Sequence, residues 1–112
     1  MIDSYSFGKM KVNGKTYSKD LIIFPDHVFS PWWRDSGHRL HVGDLQDVFD
    51  AKPEVLVVGT GSIGRMKVDD AVRQKCRDSG IRLIVKKSNA AAEEFNKQQS
   101  SQKTIGAFHL TC

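Results

Sequence analysis

The 112-residue sequence lacks most of the features that announce a specialised chain. No apolar run approaches the roughly 20 residues a membrane helix requires, which argues against a membrane partner. The start, Met1-Ile2-Asp3-Ser4-Tyr5, has neither a basic opening nor an apolar signal core, so a reducing cytoplasm is the expected compartment. Cysteine is scarce: Cys76 and Cys112 are the only two, with no CxxC or HxxxH spacing anywhere. That leaves no disulfide framework and no structural zinc site to expect. No GK[ST] follows a glycine loop, which excludes a P-loop. Aromatic residues are not interleaved with the basic ones and no nucleic-acid-binding motif occurs, so nucleic acid is not an expected partner.

What remains suits one ordinary globular domain over residues 1–112, with 39% hydrophobic residues including two Trp, two Tyr and six Phe. No repeat, linker or second domain interrupts it. The net charge of +4 is unevenly spread. Between Arg65 and Lys87, eight basic residues face only Asp69, Asp70 and Asp78. Such a region can attract phosphate or an acidic partner, although a solvated helix face is the simpler reading.

Periodicity orders the chain. Lys9–Val12 and Lys15–Tyr17 flank Asn13-Gly14, a strong hairpin signal, and Leu21–Phe24 reads as a buried strand ended by Pro25. Ser30–His38 is irregular and holds both tryptophans. Asp44 caps a short helix with Leu45, Val48 and Phe49 on one face, ended by Lys52-Pro53. Val55–Val58 is a strand buried on both faces. Asp69 is expected to cap a helix burying Ala71, Val72 and Cys76, with Gly80 as its stop. Ile81–Val85 is a second buried strand, Ser88 or Asn89 opens a third helix through Ala91, Ala92 and Phe95, and Thr104–Leu110 is the last strand. Strand, helix and strand in about thirty residues make a parallel βαβ unit. The fold class is α/β, with a β-rich N-terminal layer.

Gly59-Thr60-Gly61-Ser62-Ile63-Gly64 matches GxGxxG directly after a strand. Free amides in such a loop can hold a phosphate. A dinucleotide is nevertheless not expected. Arg65-Met66-Lys67 delay the helix, the second strand ends in Lys86-Lys87 instead of a ribose-binding acid, and one βαβ unit is too little. No cofactor is therefore assigned. Parallel strands would place Gly59, Thr60, Gly61 and Lys86 on one edge, a setting for a small anion, while the glycines serve a tight turn equally well. His109 lies on the last strand, three residues before Cys112. Positions three apart face opposite ways, so a Cys–His nucleophile is disfavoured and a buried, satisfied histidine expected. His38 and His41, with Asp35 and Asp44, form no evident metal set. Trp32-Trp33-Arg34 is the candidate partner contact, because Trp and Arg are enriched at interface hot spots. One tryptophan fits as a core plug; both together do not, since neighbours in an extended segment face opposite ways.

Taken in order, Gly8-Lys9-Met10-Lys11-Val12, Trp33-Arg34, Gly37-His38, Asp44-Leu45, Pro53 through Gly61 and Phe108-His109-Leu110-Thr111-Cys112 resemble a family of small domains. It includes the mitochondrial respiratory complex I assembly factor three and the adipogenesis-associated domain protein, with archaeal and bacterial relatives. The resemblance implies three layers: a central mixed, mostly parallel sheet, helices packed on it and an extra β layer. It implies no established enzyme activity. A chain starting at Met1 without a mitochondrial presequence is similar to the prokaryotic members. The leading expectation is a non-enzymatic protein-interaction or complex-assembly module using Trp32, Trp33 and Arg34. The alternative is a small-anion or small-metabolite binder, or a weak enzyme, using Gly59, Thr60, Gly61, Lys86 and His109.

Overall fold

The computed structural model describes residues 1–112. Its N-terminus is an antiparallel three-stranded sheet of β1 (Ile2–Ser6), β2 (Lys9–Val12) and β3 (Lys15–Tyr17). Asn13 (φ 48°) and Gly14 (φ 84°) make the turn with two positive φ angles that matches strand twist. The chain continues through β4 (Leu21–Ile23), β5 (Val28–Phe29), the irregular loop and β6 (Arg39–Leu40) to a 3-10 turn at Val42–Leu45. Then come α1 (Gln46–Ala51), β7 (Val55–Thr60), β8 (Lys67–Val68), α2 (Asp70–Asp78), β9 (Arg82–Lys86), α3 (Ser88–Gln99) and β10 (Thr104–His109).

The central sheet has the order β5-β4-β10-β7-β9, and β6 pairs separately with β8. Its long pairings are parallel, Thr104–His109 along Val55–Thr60 and Val55–Gly59 along Arg82–Lys86, whereas β4 meets β10 and β5 antiparallel. Side-chain alternation then decides the layers. Ile22, Leu56, Val58, Ile105 and Ala107 point to one face, where they join Leu45, Val48, Val72 and Cys76. Leu21, Ile23, Val55, Val57 and Phe108 point to the other, against Ala91, Ala92 and Phe95 of α3 and Ile2, Met10 and Val12 of the N-terminal sheet. The expected three-layer α/β architecture is therefore present. No helix is long and apolar enough to cross a membrane.

Several local expectations need correction. Ala71 is exposed, and α2 buries only Val72 and Cys76. The strand after Gly80 is half-buried, because β9 is the edge of the sheet. Asp44 lies inside the 3-10 turn rather than before it, its carboxylate accepting the His41 N–H at 2.9 Å. Asp69 occupies the position before α2, but its carboxylate binds Arg39 Nε and His41 Nδ1, both at 2.6 Å, in place of the helix amides. Arg39 beside Asp69, helped by His41, outweighs the effect of burial and holds that carboxyl below its ordinary pKa.

Candidate functional site

Parallel β7, β9 and β10 end on the same edge, as the sequence reading requires. Gly59 and Thr60 are still strand, so the turn starts at Gly61 (φ 106°). The amides beyond it have partners. Gly61 N–H donates to Ser88 Oγ (2.9 Å), Ser62 N–H to Thr111 O (2.6 Å) and Arg65 N–H to Cys112 O (2.8 Å). A Cβ at Gly61 would lie 2.5 Å from the Cys112 carbonyl oxygen and 2.8 Å from the His109 ring. The glycine loop thus cradles the chain's own segment Leu110–Cys112, and of the amides a small anion would use, Gly61 is engaged by Ser88 and Ser62 by Thr111. Thr60 Oγ1 donates to Lys86 O (3.2 Å), and Lys86 itself is exposed. Gly59, Thr60, Gly61 and Lys86 are therefore neighbours, and His109 sets its ring edge against Gly61 while its Nδ1 faces other company.

That company is Asp20 and Arg34. Asp20 Oδ2 accepts from His109 Nδ1 and Arg34 Nη2, each at 2.8 Å, while Oδ1 accepts the Leu110 N–H at 2.8 Å. Arg34 Nη2 also donates to Gly37 O (3.0 Å), and its guanidinium stacks on the Trp32 ring 4.6 Å from the centroid. The cluster joins the start of β4, the irregular loop and the end of β10. The Arg34 and His109 side chains are only 4% and 7% exposed, which makes their pairing a condition of folding. Sequence reasoning missed Asp20, since a single Asp before an apolar run carries no motif and its histidine is 89 residues away.

The hydrogens settle the direction of the histidine's bond. Both Nη2 hydrogens go to Asp20 and Gly37, so the 3.1 Å approach of Nη2 to His109 Nδ1 has no proton to share. Nδ1–H therefore donates to Asp20, which leaves Nε2 on the far side of the ring. That nitrogen, with Arg34 Nε and Nη1, makes the complete set of buried side-chain N and O atoms without a partner. Leaving a buried polar group unmatched costs about 1–3 kcal/mol. His109 is thus buried as expected, yet not satisfied.

Burial pushes the Asp20 carboxyl up, but the bonds from His109, the Leu110 amide and Arg34 together outweigh it and hold the pKa below the ordinary 3.8. A depressed folded pKa gives stability that is present above the unfolded value and disappears as pH falls through the folded one. Urea unfolding at stepped pH is expected to show a loss below about pH 4 that is smaller in Asp20→Asn. Asp26, held low by exposed His27, and Asp69 keep part of the slope.

Above the cluster lies a cleft of about 290 Å³ lined by Lys19, Asp20, Trp32, Trp33, Arg34, Gly37, His109 and Thr111, among others. The two tryptophans separate as alternation requires. Trp32 is 3% exposed, its Nε1–H donating to Asp44 O (3.1 Å), whereas Trp33 is 76% exposed. Of the three residues assigned to a partner, only Trp33 is presented; Trp32 and Arg34 are interior, a correction to the expected contact. Phe7 and Ile63 are also exposed. All three flank one segment: Gly8 N–H bonds Leu110 O, Ser62 N–H bonds Thr111 O, and Trp33 shares the cleft with Thr111. His38 packs edge-on against His109 and His41 pairs with Asp69, so the two do not converge. No group of three or more His, Cys, Asp or Glu residues is placed to hold a metal ion. Cys76 is buried in the core, and burial pushes its thiol up, away from nucleophilic use.

The molecule is a three-layer α/β domain whose glycine loop holds its own segment Leu110–Cys112. Residues 2–110 match the family described as protein of unknown function (DUF498/DUF598), and the chain belongs to it. Solved structures repeat the fold. PH1505, a conserved hypothetical protein of Pyrococcus horikoshii, is 22% identical with TM-score 0.84, covering 100% of this chain and 99% of that one. MT938 is 20% identical with TM-score 0.82, over 100% and 98%. XCC1710 of Xanthomonas campestris is 21% identical with TM-score 0.80, over 98% and 83%. The resemblance read from the strand-plus-glycine segment and the terminal Phe-His-x-Thr-Cys holds.

Proposed function

We propose that this chain is a non-enzymatic protein-interaction or complex-assembly module that docks through the sheet edge where Trp33, Phe7 and Ile63 surround Leu110–Cys112. The supporting observation is Trp33. A tryptophan 76% exposed, anchored between buried Trp32 and buried Arg34, is a rigid apolar contact that a free monomer has no reason to display. Three of the five large exposed hydrophobics, Phe7, Trp33 and Ile63, belong to this end. Indole anchors of this kind carry a large share of interface energy.

A photo-crosslinking residue placed at position 33 in the producing cells is expected to give one discrete protein adduct, absent when it is placed at Lys75 on α2. Trp33→Ala, with the crosslinker at Ile63, should reduce that adduct at least about tenfold, the equivalent of a 1.4 kcal/mol contact. Equal labelling from positions 33 and 75 would sink the reading.

A further inference from the structure

All three unpartnered buried nitrogens of the molecule lie in one place, Arg34 and His109 at the wall of the 290 Å³ cleft. Their chemistry is complementary. Arg34 Nε–H and Nη1–H₂ are donors in need of oxygen, and with the ring hydrogen on Nδ1 the His109 Nε2 atom is free to accept from a proton-bearing group. The two side chains approach to 3.1 Å through Arg34 Nη2 and His109 Nδ1 and both line the cleft, so one small molecule there meets both residues. We propose that this cleft binds a small oxyanion that retains one hydroxyl, its oxygens taken by Arg34 and its O–H donated to His109 Nε2. Monohydrogen phosphate and 2-hydroxycarboxylates share that chemistry.

Electrostatics fit a singly or doubly charged ligand. Asp20 is the one carboxylate in the cluster, and all its contacts are donors: Arg34, His109 and the Leu110 amide. Lys19, which lines the cleft, adds an exposed positive charge without a carboxylate partner. The glycine loop is not the site, because its Gly61 amide already donates to Ser88 Oγ and its Ser62 amide to Thr111 O. All three nitrogens are buried, so binding requires the irregular segment Trp33–Gly37 to shift and uncover them. Trp33 is consequently the natural reporter.

The test titrates the purified protein with inorganic phosphate, lactate, sulfate and chloride at matched ionic strength and pH 7, following Trp fluorescence and backbone amide shifts by NMR. Phosphate or lactate is expected to saturate with shifts centred on Asp20, Gly37 and Leu110. Sulfate, which has no proton to donate at this pH, should bind at least tenfold more weakly. Phosphate without lactate, or the reverse, identifies the source of the oxyanion within the proposed class. Arg34→Lys, which keeps the charge but loses the planar donors, should weaken binding at least tenfold. If that variant does not fold, exposed Lys19→Ala should weaken binding at least threefold, and Lys86→Ala should leave it unchanged. No saturable response to phosphate or lactate, equal binding of sulfate, or sensitivity to Lys86→Ala instead of Lys19→Ala overturns the proposal. Loss of the Trp33 adduct with phosphate binding intact would remove the interaction reading alone.

Discussion

Asp20→Ala is expected to lower the unfolding free energy by about 3–5 kcal/mol, because it strands the buried Arg34 charge. The carboxylate accepts three hydrogen bonds from two separate segments, and no second acid lies in the cluster to replace it. Arg34→Met is expected to cost less. It leaves Asp20 still bonded to His109 and the Leu110 amide, and it removes the unmatched Nε and Nη1 at the same time. The double variant Asp20→Ala/Arg34→Met should therefore lie well above the sum of the single losses, with a coupling of about 1–3 kcal/mol for groups in one network. Equilibrium urea unfolding of the four proteins at pH 7 measures this directly. Additive losses would mean that the 2.8 Å pairing contributes nothing beyond packing. The cluster closes the cleft floor, so the same variants should also release Trp32 from its stacking position and alter its fluorescence.

Which parts of this molecule were legible in its sequence follows from how far apart the interacting residues are. The Asn13-Gly14 hairpin, the βαβ unit and the two buried strands Val55–Val58 and Thr104–Leu110 depend on local turn chemistry and periodicity, and all are present. The opposite facing of Trp32 and Trp33 follows from alternation alone. Burial of Ile81–Val85 was overestimated, because an apolar run does not reveal which strand becomes the edge. Asp69 looks like a helix cap in sequence, yet Arg39 and His41, about thirty residues upstream, offer its carboxylate charged donors that outcompete backbone amides. The candidate site failed in the same way. His109 and Arg34 were singled out separately, for different roles. Only the approach of β4, the irregular loop and β10 shows that Asp20 joins them.

The glycine loop gives the second large effect. Gly61→Ala is expected to destabilise the protein by about 3 kcal/mol or more, the upper end of the cost of holding a residue in a disallowed backbone region. Two causes add. A φ of 106° lies well outside the small left-handed well open to L residues, and the new Cβ would sit 2.5 Å from the Cys112 carbonyl oxygen. Backbone cannot step aside as a flexible side chain would, so the Leu110–Cys112 segment must leave the cradle. Gly64→Ala provides the contrast. Its φ of 74° is close to that well, and the nearest atom to its Cβ is Lys87 Cγ at 3.3 Å, part of a mobile stem. It should cost about 1 kcal/mol. Hydrogen exchange separates seating from strain. In Gly61→Ala the Ser62 and Arg65 amides, which donate to Thr111 and Cys112, should lose protection, whereas in Gly64→Ala they should keep it. A fingerprint loop preserved for a ligand would behave otherwise: Gly61→Ala would abolish binding and leave the free protein's stability and amide protection nearly untouched. The distances around Gly61 instead make this motif a seat for the segment Leu110–Cys112, and the nearby unmatched nitrogens of Arg34 and His109 the place where a ligand has something to gain.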